Sequence, residues 1–210
     1  IVFMKIEEKY FEYGDEEINH LCKVDEQLAY AISKIGKIYR AIEPEIFASL
    51  VRSIVGQQVS TKAQKTIWNR MLEGIGGITP DSIDKIKIDE LQKFGISFRK
   101  ANYIKDLAAR VSSGQFKLDE LNDLSDEELI AKLTELKGVG VWTAEMLMIF
   151  SMMRPNVISY GDLAIRRGMC RLYGYDSLDK KTFEMHRKKY APYASVASLY
   201  IWAVSSGALD

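Results

Sequence analysis

The chain lacks any apolar run near the roughly eighteen residues that a membrane span demands. Its opening stretch, Ile1 to Lys9, carries two adjacent glutamates where a secretory leader would place basic and then apolar residues. Both absences lead to the expectation of a soluble intracellular protein. Cysteine is scarce: Cys22 and Cys170 are too few and too far apart for a metal knuckle, and we read both as small buried apolar residues. The formal net charge is zero, which argues against a nucleic-acid partner only until its distribution is considered. Residues 1–50 hold 6 basic against 10 acidic side chains, and residues 51–210 hold 23 against 19. Between Arg154 and Lys189 there are nine basic and four acidic residues. On charge alone that segment is more readily a solvated helical face than a phosphate-binding surface.

Also scarce is the alternation of period two that marks half-buried strands; the dominant spacing is three to four, so an all-α fold is expected. With 210 residues and 47% hydrophobic content, the chain can bury one good core or two small ones. In "FASLVRSIVGQQVSTKAQKTIW", Phe47, Leu50, Val51, Ile54 and Val55 share one face. The pattern then breaks near Gly56 to Ser60 and resumes as a helix capped by Ser60 or Thr61. Two or three short helices follow, with turns at Gly95 and Gly114. Ser125 with Glu128 three residues on forms a capping box, and Asp126 and Glu127 suit the positive end of the dipole of a helix running to about Leu136.

The next stretch, "LKGVGVWTAEMLMIF", places Gly138 and Gly140 between that helix and a second one from about Val141 to Met152. Glycine has no Cβ and tolerates positive φ, so such a hairpin can approach another surface and present N–H groups at a helix N-terminus, a ready anion site. A purely structural αα-hairpin would use the same glycines as caps. Some ten residues later, "RPNVISYGDLAIRRGMCRLYG" sets Asp162 at the start of a helix that turns Leu163, Ile165, Met169 and Leu172 inward and ends at Gly174. A lone Asp there is ordinarily an N-cap and nothing more.

The two features together resemble the helix-hairpin-helix (HhH-GPD) DNA glycosylase superfamily, whose signature is this hairpin followed by a Gly/Pro-rich loop ending in a catalytic Asp. The resemblance runs from about Val24 to Gly207. The stretches "SIVGQQVSTKA", "GVWTAEM", "GDLAIRRG" and "LYIWAVSSG" are similar to the alkylpurine branch, the 3-methyladenine DNA glycosylase II type. Lys137 replaces a proline often found in the hairpin, Gly161 stands where some relatives have a second acidic residue, and a β-rich N-terminal lobe is expected to be short or missing. The implied architecture is two helical subdomains with the active-site cleft between them. Residues 1–40 would complete one subdomain, 41–135 would form the central one, 136–153 the second half of the hairpin motif, and 154–210 the Asp loop and C-terminal helices.

What the resemblance implies for function follows residue by residue. Asp162 would be the catalytic carboxylate, stabilising the positive charge that develops on deoxyribose and aligning or deprotonating a water. Trp142 and Trp202, with Met146, Tyr160 and Tyr200, would line the pocket for a base turned out of the duplex, electron-rich rings attracting a cationic alkylated purine. Gln57 and Gln58 are candidates to fill the gap left in the duplex. Lys137, Gly138, Val139, Gly140 and Arg166 would bind DNA phosphates. Members that also cut the strand carry a Schiff-base lysine two residues after the second hairpin glycine. Trp142 occupies that position, so base release without strand cleavage is expected. Four thiolates are needed for the iron–sulfur cluster of other members, so none is expected here. No cofactor is implied, apart from a sodium or potassium ion that some relatives hold at the hairpin backbone.

The expected partner is double-stranded DNA with damaged bases, acted on by a monomer in the cytoplasm or nucleoid of a prokaryote or the nucleus of a eukaryote. His20 and His186 lie outside these motifs and are read as surface or core residues. The competing readings are a glycosylase for oxidised or deaminated purines, a non-catalytic hairpin module that binds DNA, and an all-helical structural protein.

Overall fold

A computed structural model describes residues 9–210. Among them lie twelve α-helices in chain order: α1 Asp15–Val24, α2 Glu26–Ile35, α3 Ile46–Gly56, α4 Thr61–Ile75, α5 Pro80–Lys85, α6 Ile88–Lys93, α7 Phe98–Ser112, α8 Asp126–Thr134, α9 Val141–Phe150, α10 Leu163–Tyr173, α11 Lys180–Tyr190 and α12 Ala194–Ser205. The only extended pairing among the described residues is an isolated antiparallel bridge between Tyr10 and Ala41. The fold is all-α, and none of its described helices is long and apolar enough to cross a membrane. The chain divides into two compact units, residues 43–147 and residues 1–42 with 148–210; α9 belongs to the first through Leu147 and to the second from Met148.

In the unit of residues 43–147, α3 buries Phe47, Leu50, Val51, Ile54 and Val55, the face that its spacing selects. Burial of each such side chain contributes about 1.5–3 kcal/mol. Ser60 rather than Thr61 caps α4, its hydroxyl accepting from the Ala63 amide. α4 turns Ile67, Trp68 and Met71 inward and ends at Gly76 in the left-handed conformation. α7 supplies Ala101, Ile104, Leu107 and Ala108. On the same helix Lys100 is buried and donates from Nζ to the carbonyl oxygens of Val55 and Gln57, satisfying the C-terminal end of α3. Burial, with the neighbouring Arg99, pushes its ammonium below the usual lysine range. The Ser125–Glu128 capping box at the start of α8 forms in both directions.

The unit of residues 1–42 and 148–210 is organised on α12, which is buried almost all round, from Ala194 through Ile201 to Val204. α10 lies against it at Gly168. A Cβ on that glycine would sit 2.2 Å from the carbonyl oxygen of Ile201, so only glycine permits this approach. Asp25 caps α2, its Oδ1 accepting from the Leu28 amide at 2.9 Å. Its Oδ2 accepts from Lys189 Nζ at 2.9 Å and lies 3.8 Å from His186 Nδ1. His186 is a core residue, its ring 4.1 Å from that of Tyr173 and its Nε2 bonded to the Tyr175 hydroxyl. Burial alone would raise the Asp25 carboxyl, but bonds from His186, the Leu28 amide, Lys189 and Tyr173 outweigh it and hold it well below the usual carboxylate range.

Three readings of the sequence are corrected here. Leu163 does not turn inward: as the first residue of α10 it faces away from Ile165 and Met169 and is 65% exposed. Cys22 and Cys170 are half-buried rather than core.

Candidate active site

Asp162 is 9% exposed and forms the N-cap of α10. Its Oδ1 accepts from the amides of Ala164 at 2.8 Å and Ile165 at 2.9 Å, two of the donors that a helix leaves unsatisfied at its start. The same oxygen accepts from Trp202 Nε1 at 3.3 Å. Three N–H donors at the start of a helix hold this carboxylate in one orientation. Trp202 is fixed in turn by Phe150, with ring centroids 5.4 Å apart, and the Arg40 guanidinium lies 4.8 Å over the Phe150 ring. Asp162 and Trp202, 40 residues apart, are thus brought together.

The loop that delivers Asp162 is fastened to α12 by two serines that sequence reasoning missed. Ser195 Oγ donates to the Arg154 carbonyl and accepts from the Val157 amide at 2.9 Å. Ser198 Oγ donates to the Val157 carbonyl at 3.1 Å. Trp202 stands one turn further along the same helix, so α12 positions both the loop and the indole. Their signal was visible: two serines three apart within a helix that is otherwise nearly all apolar call for buried partners.

The other pocket candidates divide. Tyr160 is half-buried, packs on Phe183 with centroids 5.1 Å apart and donates to the Leu178 carbonyl. Tyr200 lies in the core, its hydroxyl bonded to the Tyr13 hydroxyl and the Gly36 carbonyl, and burial followed by the Tyr13 bond drives its phenol above the usual range. Its ring is almost wholly buried, and its hydroxyl is committed to these two partners. Trp142 and Met146, one turn apart on α9, belong to the unit of residues 43–147; Trp142 is 48% exposed and Met146 half-buried.

The hairpin lies in that same unit. Gly138 has φ +83°, and a Cβ there would meet the Tyr103 ring at 2.5 Å, so this glycine is required by both conformation and space. Gly140 has neither restraint, with nothing within 4 Å of a Cβ. Val139 is buried and its amide is committed to the Leu136 carbonyl, so it anchors the hairpin rather than offering its own N–H. Lys137 pairs with Asp106 at 2.7 Å. Gln57 and Gln58 separate by role: Gln57 Nε2 donates to the Gly138 carbonyl at 2.5 Å, bracing the hairpin from 81 residues away, whereas Gln58 is exposed with φ +56°. Arg166 is half-buried with its guanidinium 5.4 Å over the Tyr160 ring.

Comparison with known proteins places these features in a family. A crystal structure of DNA-3-methyladenine glycosidase from Bacillus halodurans aligns with a TM-score of 0.85 and 37% identity, covering 95% of this chain and 93% of that one. The Schizosaccharomyces pombe 3-methyladenine DNA glycosylase in complex with abasic DNA aligns with a TM-score of 0.78 and 32% identity, covering 90% and 96%. By sequence, DNA-3-methyladenine glycosylase 1 of S. pombe is 34% identical over 194 residues, 89% of this chain and 85% of that protein. The family model described as HhH-GPD superfamily base excision DNA repair protein matches residues 51–192, which include the Gln57 loop, the glycine hairpin and Asp162. With 142 of its 210 residues inside that match, the chain belongs to the HhH-GPD superfamily of base excision DNA repair proteins.

Proposed function

We propose that the protein is a monofunctional DNA N-glycosylase that turns alkylated purines out of duplex DNA and releases them by hydrolysis. The observation that carries this is the Asp162 carboxylate, oriented by Ala164 N, Ile165 N and Trp202 Nε1 at the head of α10 in a chain of this family. Breaking an N-glycosidic bond leaves positive charge on the sugar. A fixed anion beside it lowers the barrier because it needs no reorganisation as charge develops, and the carboxylate can also align the attacking water. A 3-alkylated or 7-alkylated purine is already cationic and leaves without a strong general acid. The named S. pombe and B. halodurans relatives support that substrate class.

The indole face of Trp202, whose Nε1 meets Asp162, is the proposed contact for the cationic base, contributing about 0.5–2 kcal/mol. Gln58, exposed where Gln57 is committed to the hairpin, is the proposed side chain that fills the vacated duplex. The start of α9, beside the Gly138–Gly140 hairpin, is the proposed seat of a phosphate at the positive end of the helix. A monovalent cation would draw on the hairpin carbonyls; Leu136 O and Gly138 O each already accept an N–H, and the proposed chemistry does not depend on the ion.

Trp142 stands where a Schiff-base amine would be required for strand cleavage, which supports base release alone and weighs against the oxidised-purine reading. Incubation with methylated genomic DNA, followed by mass spectrometry of the supernatant, is expected to show 3-methyladenine and 7-methylguanine. Borohydride is expected to trap no covalent adduct. Absence of released purine refutes the glycosylase reading, and a trapped adduct refutes the monofunctional one.

A further inference from the structure

The outward face of α10 carries a feature that the proposed chemistry leaves unused. Leu163, Arg166, Arg167, Cys170 and Arg171 recur at spacings of three and four, opposite the Ile165–Gly168–Met169 face that packs inward. Together with residues 176–178 and Ser205 they line an open groove of about 610 Å³. Three arginines stand here against one groove carboxylate, Asp176. Their engagements differ. Arg171 is tied to the end of α12 through the carbonyls of Val204 and Ser205 and pairs with Asp210 at 3.5 Å. Arg166 stacks on Tyr160, and its buried Nε has no hydrogen-bond partner among the described residues. Arg167 is exposed.

Beyond the phosphate contact that the resemblance implies for Arg166, we propose that this groove seats the sugar–phosphate backbone of the damaged strand beside the extruded nucleotide, with Arg167 joining Arg166 on its phosphates and the exposed Leu163 against a neighbouring sugar. This rests on the reading of Asp162 as the group at the scissile bond. Arg167 lies five residues beyond Asp162, about 7.5 Å along the helix axis, and Arg171 about 6 Å further. Phosphates on one strand advance about 3.4 Å of axial rise per step, so a strand entering at Asp162 meets a positive side chain within two or three nucleotides. Guanidinium forks match phosphate oxygens in pairs, which favours DNA over an acidic protein segment with its sparser charge. A large apolar side chain left 65% exposed next to the catalytic carboxylate also suits a nucleotide sugar.

The test is Arg167→Ala, with Arg167→Lys and Arg167→Glu as companions. Their thermal midpoints verify folding, since the side chain is exposed. Binding to abasic-analogue duplex is titrated from 50 to 200 mM salt, and base release is measured in steady state. Loss of one phosphate contact reduces the slope of log K against log salt by about 0.9. The Ala variant is expected to show that reduction, with affinity down about three- to tenfold and the loss of kcat/KM lying in KM. Lys retains most of the slope, and Glu binds more weakly than Ala. An unchanged slope and affinity in both Ala and Glu variants overturns the proposal and leaves the groove to some other partner, such as an acidic peptide. If the unaltered protein releases no alkylated base, the functional reading fails first; if it does and Arg167 has no effect on DNA binding, only this inference falls.

Discussion

Replacing Asp162 by Asn separates the cap that this side chain forms from the catalytic duty proposed for it. The amide oxygen of Asn still accepts from Ala164 N and Ile165 N, which Asp162 Oδ1 meets at 2.8 and 2.9 Å, and Asn caps helices about as well as Asp. The lost charge at the helix start costs only about 0.3–1 kcal/mol of stability. Chemistry loses far more. An anion about 4 Å from a developing unit positive charge contributes about 4 kcal/mol at an effective dielectric near 20. At about 1.36 kcal/mol per decade, that is close to a thousandfold in the rate of bond cleavage. Asp162→Ala is expected to match this loss and to add the cap, about 1 kcal/mol, lowering the melting midpoint by about 2–4 °C in a chain of this length. Single-turnover release of 7-methylguanine from methylated duplex reads the first effect, calorimetry the second, and affinity for abasic-analogue DNA verifies that the site remains assembled. An Asn variant within tenfold of the unaltered rate would refute the electrostatic assignment. So would an Asn variant less stable than the Ala one.

Trp202→Phe retains a ring against Phe150 and removes the 3.3 Å donor to Asp162; a long bond to a charged group sits near the low end of its range, about 1.5 kcal/mol, so kcat should fall roughly tenfold. Unchanged kcat would show that the two backbone amides suffice. Gly138→Ala forces a side chain to φ +83° and into the Tyr103 ring, a strain of about 1–3 kcal/mol that calorimetry should register, whereas Gly140→Ala, in open space, should leave the midpoint alone and weaken DNA affinity only. Asp25 supplies a pH test. Its folded carboxyl lies below the unfolded value, so its contribution is present above about pH 4, the ordinary range, and is lost as pH falls through the folded value. Urea midpoints of Asp25→Asn should therefore trail those of the unaltered protein at pH 6 and converge with them only in strong acid; a constant gap down to pH 2 would refute the linkage.

What could be read from the sequence was local. The Ser125–Glu128 box, the cap at Asp162, the left-handed stop at Gly174 and the buried face of α3 each depend on residues within a turn or two of one another, where helix geometry fixes who can meet whom. Leu163 was misjudged because a periodic count includes the first helical residue, although a residue at that position can point away from the core. Partners far apart in the chain were out of reach: Gln57 with Gly138, Ser195 with Val157, Lys189 with Asp25. Spacing does not report which loops fold back onto which helix, and so it could neither separate Gln57 from Gln58 nor tell that Tyr200 is bound into the core. The proposed catalytic carboxylate was singled out through its family pattern, and its indole donor was visible only as a pocket wall.

Gly168 carries no chemical group, yet it governs where the proposed catalytic side chain sits. Because its hydrogen faces the Ile201 backbone, the rod bearing Asp162 settles at the depth from which Trp202, one residue beyond Ile201, can reach that carboxylate. A single added methyl would act as a shim, lifting the rod and parting acceptor from donor six residues away. Screens that score positions by side-chain reactivity would pass over this one, although it sets the calibration of the whole device.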